Sequence, residues 1–151
     1  MHSFCCTIGC LLAFSLMQND ATPPTYRVEI LGSYPHDQGA FTQGLIFDQG
    51  ELVESTGTYG KSTIRRVQID NGQVLRYARL NDDLFGEGAA VHGEKIYQLT
   101  WKEGIAIVYD RKSLKYEKTL NYEGEGWGLT GDGSQLILSD GTSTLRFLDP
   151  E

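Results

Sequence analysis

The sequence has little positive charge. Its 151 residues contain 13 Lys and Arg against 20 Asp and Glu, which gives a formal net charge of −7. A nucleic acid or an anionic membrane is bound by a basic surface, so this balance argues against both as partners. With 40% hydrophobic and 22% charged residues, the chain can nevertheless bury a core.

Cysteine and histidine are equally scarce. The three cysteines, Cys5, Cys6 and Cys10, all lie near the start, and His36 and His92 are the only histidines beyond residue 21. From residue 22 onward this excludes a disulfide framework, a thiol nucleophile and a thiolate metal site. A zinc site built from histidine would need help from carboxylates.

The start of the chain differs from the rest in composition. Residues 1–17 carry no charged side chain and contain an apolar run from Phe4 onward, too short to span a bilayer well. This is typical of a signal peptide, so we predict one over residues 1–21 and an exported protein, either periplasmic or extracellular. A disordered or wrongly assigned start is the alternative, and Cys10 leaves a lipid anchor open.

Helical periodicity is missing from Tyr26 onward, and short strand-like runs separated by turn residues replace it. Residues 22–33 are predicted to form an extended leader that includes an outer closing strand over Tyr26–Ile30. Further strands are predicted at Glu51–Ser55, Ile64–Ile69, Val74–Ala78, Lys95–Leu99, Ile105–Tyr109, Gln135–Leu138 and Thr144–Leu148. These predict an all-β chain.

The strands repeat. Gly44, Gly88 and Gly128 each open a unit, at spacings of 44 and 40 residues. A repeat of about 40–50 residues with four strands indicates a blade of a β-propeller, and a meandering β-sandwich is the alternative. We expect residues 34–151 to form a partial propeller with blades starting near 41, 85 and 125. The third unit lacks a fourth strand, so the propeller looks C-terminally incomplete.

The first strand of each propeller blade lines the central channel. The residues before the repeat glycines are Gln43, Glu87 and Trp127, and Trp101 follows a second strand. An aromatic wall beside a carboxylate raises its pKa and suits it to proton transfer near neutral pH. Glu87 is therefore a candidate for proton transfer, and Gln43, Trp101 and Trp127 are candidates to line a slot for a compact polar substrate. No metal ligand is predicted among them.

Each of these assignments has a structural alternative. Glu87 alone could cap a turn, and both tryptophans could pack between blades. Three other carboxylates compete for the catalytic role: Glu54 and Glu125 are interpreted as turn or rim residues, and Asp140 as the cap of the turn at Asp140-Gly141. His36 and His92 fall in predicted turns and are expected to be exposed.

Six motifs in order resemble one known family. They are FTQGL at 41–45, ESTG at 54–57 with Tyr59-Gly60 and Ser62, FGEG at 85–88, YQLTW at 97–101, EGWGLT at 125–130 and SDG at 139–141. Together they resemble the glutamine cyclotransferase family, the glutaminyl-peptide cyclotransferases of plant and bacterial type. The resemblance covers residues 34–151.

The resemblance implies a five-bladed propeller that converts N-terminal glutamine of peptides or proteins to pyroglutamate and releases ammonia. It gives Glu87 the role of the proton-transferring catalyst and places Gln43, Trp101 and Trp127 in the substrate pocket. It implies no cofactor for catalysis, a possible structural metal ion in the channel, and a monomer at full length. The family's last blades, which carry further pocket residues, have no counterpart here.

Two other functions stay open. A non-catalytic peptide-binding propeller, or an inactive fragment of the enzyme, would fit the incomplete third blade. A calcium-dependent propeller hydrolase would need Asp and Asn oxygens converging on the ion, whereas the channel positions carry Gln43, Glu87 and Trp127.

Overall fold

The computed structural model describes residues 23–150, which divide into two units between Leu31 and Gly32. The predicted signal peptide at 1–21 lies outside the described residues. In the first unit, residues 23–31 have no regular secondary structure. Tyr26–Ile30 thus has no strand partner among residues 23–150, and its role as an outer closing strand stays a prediction. Strands need a paired neighbour, whereas the side chains of Tyr26, Val28 and Ile30 are 82%, 86% and 84% exposed.

Residues 42–148 form eleven antiparallel strands. They are β1 (Thr42–Asp48), β2 (Glu51–Thr56), β3 (Thr63–Gln68), β4 (Val74–Arg79), β5 (Gly86–His92), β6 (Lys95–Thr100), β7 (Ile105–Asp110), β8 (Tyr116–Asn121), β9 (Gly128–Gly131), β10 (Leu136–Ser139) and β11 (Leu145–Leu148). Residues 23–150 contain no helix, hence none long and apolar enough to cross a membrane.

The strands form three sheets, each a meander in chain order. The first contains β1 to β4, the second β5 to β8 and the third β9 to β11. The first strands lie side by side, β1 against β5 and β5 against β9. Consecutive meanders that share an inner row of strands are blades of a propeller, so the all-β propeller prediction is confirmed.

Tight turns allow each meander to reverse direction. Between β1 and β2, Gln49 and Gly50 have φ angles of 53° and 86°. Positive φ at both central residues is the geometry of a type I′ turn, which matches the twist of paired strands. Asp132 instead accepts hydrogen bonds from the backbone N–H groups of Ser134 and Gln135, both at 2.8 Å, and so closes the turn before β10.

Apolar side chains fill the space between the blades. Val53, Ile64 and Ile96 are fully buried where the first blade meets the second. Leu99 and Leu138 are similarly buried between the second blade and the third. Burying such a side chain contributes about 1.5–3 kcal/mol, so these interfaces are the main source of stability for the stacked blades.

Charged side chains join the first two blades at the far end of β1. Asp48, which is buried, accepts hydrogen bonds from Arg66 Nη2 at 2.7 Å and from Arg111 Nε at 3.1 Å. Arg66 Nε also donates to the backbone carbonyl of Arg111 at 3.0 Å. The hydrogen bonds from Arg111 first, and then from Arg66, hold the pKa of Asp48 below its ordinary value. Asp48 thus stays ionised and its burial is compensated.

The repeat glycines allow the inner strands to touch. A Cβ atom on Gly44 would lie 2.8 Å from the backbone N of Ala89, and one on Gly88 would lie 2.6 Å from the backbone N of Leu129. The backbone N–H of Gly88 also donates to the carbonyl of Trp127 at 2.8 Å. A side chain at either glycine would push neighbouring blades apart.

We expect Gly88→Ala to lower the free energy of unfolding by about 1–3 kcal/mol, because backbone atoms cannot move aside for the added methyl group. Urea unfolding measures this change. The matched control is Gly32→Ala, where the nearest heavy atom to a Cβ would be 4.0 Å away. Equal stability of the two variants would contradict close packing at Gly88.

Candidate active site

Gln43 and Glu87 lie where the first strands of two blades depart from regular pairing. In β1 the register shifts between Thr42 and Gly44, and in β5 it shifts between Gly86 and Ala89. Such irregularities turn a side chain away from the alternation of the strand. Here they bring the two side chains together, and Gln43 Nε2 donates a hydrogen bond to Glu87 Oε1 at 3.1 Å.

Glu87 is a half-buried carboxylate with its pKa raised to about 7. Burial is the largest cause, because a charged carboxylate loses solvation inside a protein. The hydrogen bond from Gln43 acts in the opposite direction, and the negative charges of Glu103 and Glu125 raise the pKa further. No Arg or Lys among residues 23–150 forms an ion pair with Glu87. The group can therefore exchange a proton near neutral pH.

A buried chain of polar side chains fixes the backbone at Glu87. Ser55 Oγ donates to the carbonyl oxygen of Glu87 and accepts from Gln98 Nε2 at 2.7 Å. Gln98 Oε1 in turn accepts from the Tyr109 hydroxyl at 3.1 Å. All three side chains are buried and satisfied, which makes such a network rigid. Sequence reasoning missed it, although Gln98 is an amide side chain between the hydrophobic residues Tyr97 and Leu99 of β6.

Aromatic rings form a wall beside the carboxylate. Phe85 makes edge-to-face contacts with Phe41, Tyr59 and Trp101 at centroid distances of 6.2, 5.4 and 5.7 Å. Gly57 makes room for it, since a Cβ there would lie 2.3 Å from the Phe85 ring. Edge-to-face packing fixes the orientation of each ring, so this wall is preformed.

Trp101 and Trp127 belong to different blades but share one hydrogen-bond acceptor. Each indole Nε1 donates to Glu125 Oε2, in both cases at 2.9 Å. Trp127 is 48% exposed and covers Gly141, where a Cβ would meet the ring at 2.6 Å. Packing between blades alone therefore does not account for the two tryptophans, which present indole surface near Glu87.

The competing carboxylates have separate roles. The interpretation of Glu54 as a turn or rim residue is wrong: it lies in β2, is buried, and pairs with Arg65 Nε at 2.8 Å. It also contacts His36 Nε2 at 2.8 Å, which leaves the His36 side chain 42% exposed. The prediction for Asp140 is confirmed, since it accepts from the backbone N–H of Thr142 at 3.1 Å.

Glu125 was also interpreted as a turn or rim residue, and that interpretation was incomplete. It does lie in the loop between β8 and β9, but its carboxylate contacts both tryptophans of the site. The repeat itself indicates that Glu125 is unusual, because the positions equivalent to Glu125 in the first two units are Phe41 and Phe85. A charged residue in a position otherwise held by phenylalanine indicates a specific partner.

Residues 23–150 bring together no group of three or more His, Cys, Asp or Glu side chains suited to a metal ion. The chemistry of the described site is that of a carboxylate, an amide and indole rings.

Comparison with known proteins gives three likenesses. The sequence model for glutamine cyclotransferase matches residues 4–151. A glutaminyl-peptide cyclotransferase of Arabidopsis thaliana is 40% identical over 127 residues, which cover 83% of this chain and 40% of that protein. The crystal structure of Myxococcus xanthus glutaminyl cyclase is 41% identical with a TM-score of 0.74, over 81% of this chain and 51% of that one.

A more distant likeness concerns the fold alone. The WD40 repeats of RRP9 superpose with a TM-score of 0.60 at 10% identity, over 76% of this chain and 37% of that one. The chain thus spans about two fifths of the curated relative and about half of the bacterial structure. With the family match covering nearly its whole length, the chain belongs to the glutamine cyclotransferase family.

Proposed function

We propose that the protein is a glutaminyl-peptide cyclotransferase, which converts the N-terminal glutamine of peptides or proteins to pyroglutamate and releases ammonia. Family membership supports this reaction. The observation that carries it is Glu87, a half-buried carboxylate with a pKa of about 7, hydrogen-bonded to Gln43 beside an aromatic wall. Because the chain spans part of its relatives, the proposal concerns the whole protein.

The reaction needs one group that both accepts and donates a proton. The α-amino nitrogen of the substrate attacks the side-chain amide carbon, a new C–N bond closes the ring, and the old C–N bond breaks. Glu87 accepts the proton that the amine loses and delivers it to the departing nitrogen, which leaves as ammonia. A pKa near the working pH suits a carboxyl group to both steps.

The other predicted residues hold the substrate in this scheme. Gln43 orients the Glu87 carboxylate through its amide N–H, and its amide oxygen can accept from the substrate. Trp101 and Trp127 provide flat apolar surface that displaces water from the glutamine side chain. Holding amine and amide together in a dry pocket favours ring closure over hydrolysis.

We further infer that the reaction needs no cofactor, because it transfers protons and exchanges one C–N bond for another without a change of oxidation state. The partners proposed are peptides or proteins with N-terminal glutamine, acted on by a monomer outside the cytoplasm. The uncharged apolar start of the chain supports export, and the net charge of −7 argues against nucleic acid as a partner.

We expect Glu87→Gln to lower turnover of a glutamine-initiated peptide by about 10²–10⁴-fold, since the amide cannot carry the proton. Ammonia release by the full-length protein is the measurement. Glu123→Gln, which removes the same charge from an exposed loop position, is the matched control. Equal turnover in both variants would contradict the role of Glu87. Saturable binding of the peptide by the unmutated protein without ammonia release would favour the non-catalytic alternative.

The pH profile should show the titration of Glu87. We expect kcat/KM to rise with pH through about 7, because only the deprotonated carboxylate accepts the proton. The substrate amine also loses its proton near pH 8. A variant is therefore needed to distinguish the titration of Glu87 from that of the substrate. Glu103→Gln removes a charge that raises the pKa of Glu87, so it should move the enzyme's midpoint to lower pH. An unmoved midpoint would contradict this coupling.

The raised pKa of Glu87 also predicts a cost in stability. Its folded-state pKa of about 7 exceeds the ordinary value of 4.5, so between these values the folded protein binds the proton more tightly than the unfolded chain does. The free energy of unfolding therefore falls as pH rises through this window. We expect Glu87→Gln to gain stability over the parent as the pH of a urea titration is raised from about 4 to about 8. A difference independent of pH would contradict the shift.

A further inference from the structure

One carboxylate oxygen contacts both tryptophans of the chain. The sequence contains two tryptophans, and the indole N–H of each donates to Glu125 Oε2 at 2.9 Å. The two indole nitrogens can therefore be no further apart than the sum of these two distances. Trp101 lies in the loop between β6 and β7 of the second blade, whereas Trp127 lies directly before β9, the first strand of the third. Glu125 thus links the aromatic surfaces of two blades through a single atom.

The loop that carries Glu125 is held in place by its own blade. Arg146 on β11 donates to the backbone carbonyls of Glu123 and Glu125 at 2.5 and 3.2 Å. It also pairs with Asp140 at 3.4 Å. Gly126 has no space for a side chain, because a Cβ there would lie 2.2 Å from the Tyr122 hydroxyl. The position of Glu125 is thus fixed from the backbone side, independently of the tryptophans.

An indole ring has one donor and no acceptor. Without the hydrogen bonds to Glu125, each half-exposed ring could rotate so that its N–H group donates to water. The N–H group could also donate to the substrate, in several different orientations of the ring. With both N–H groups already bound, the rings can offer the substrate only their faces and edges. The carboxylate therefore determines both where the two rings stand and what chemistry they present.

From this geometry we propose that Glu125 is a positioning residue, which holds Trp101 and Trp127 at a fixed separation and so sets the width of the slot for the substrate's glutamine side chain. The inference rests on the proposed function for the identity of the ligand. It does not make Glu125 a catalytic residue, because Glu125 acts through the two indoles.

The two hydrogen bonds also keep the positioning group charged. The bond from Trp127 first, and then that from Trp101, lowers the pKa of Glu125 below its ordinary value. An ionised acceptor forms the stronger hydrogen bond to an indole N–H. Glutamine in its place would still offer one oxygen to both rings but without the charge, so Glu125→Gln tests geometry separately from electrostatics.

The indole N–H signals of Trp101 and Trp127 in a ¹H–¹⁵N spectrum, assigned with Trp101→Phe and Trp127→Phe variants, measure the proposal directly, since both indoles contact Glu125. In the full-length protein, Glu125→Ala should move both signals upfield. A glutamine-initiated tripeptide is then titrated in a Glu87→Gln background, which is expected not to cyclise it. We expect binding to weaken roughly tenfold in Glu125→Ala, because the peptide must then order two indole side chains that Glu125 holds in place in the parent. Glu125→Gln should restore most of the affinity.

Glu123→Ala is the matched control, because it removes a carboxylate from the same loop and should leave both signals and the affinity unchanged. Unmoved indole signals in Glu125→Ala would overturn the proposal, and so would moved signals with unchanged peptide affinity. Failure of the proposed function is distinguishable: the parent would then bind the tripeptide without releasing ammonia, or would not bind it. In the latter case, indole signals of the parent that are unchanged by the peptide overturn the positioning role as well.

Discussion

The contact between the inner strands is the constraint on which the site depends. Gly44 and Gly88 lie so close to the next blade that a methyl group on either would reach backbone atoms within 2.8 Å. Because each glycine fixes the approach of two blades, the residue before it is fixed as well. Gln43, Glu87 and Trp127 are brought to one end of the inner row for that reason. The spacing of the repeat glycines along the chain therefore determines where the site residues lie.

Carboxylate side chains have opposite ionisation properties in different parts of this structure. Asp48 and Glu54 are buried, yet arginine side chains hydrogen-bond to them and their pKa values are lowered. Glu87 is less buried, has an amide as its partner, and has two further carboxylates near it, so its pKa is raised to about 7. Burial alone therefore does not decide ionisation; the partner does. The paired carboxylates stabilise the fold, whereas the unpaired one is left able to react.

The sequence was sufficient for the parts of the molecule that repeat. The glycines at 44, 88 and 128 predicted the blades, and the residues before them predicted that Gln43 and Glu87 line the same channel. The hydrogen bond between these two side chains was not predicted. Contacts between polar side chains in the core were missed. Ser55 and Gln98 form a hydrogen bond across two blades, and spacing along the chain does not reveal which polar side chains meet in the core.

The site is distributed so that no single blade contains it. The first blade contributes Gln43, the second contributes Glu87 and Trp101, and the loop before the third blade contributes Glu125. A disturbance between blades must therefore change the site even where no site residue is altered. Core packing by Val53 and Ile96, the buried Asp48 cluster and the inner glycines all maintain the same separation. The contacts between blades therefore stabilise the fold and also position the site. The charge at Glu87 is the exception, because it serves the reaction but lowers the free energy of unfolding.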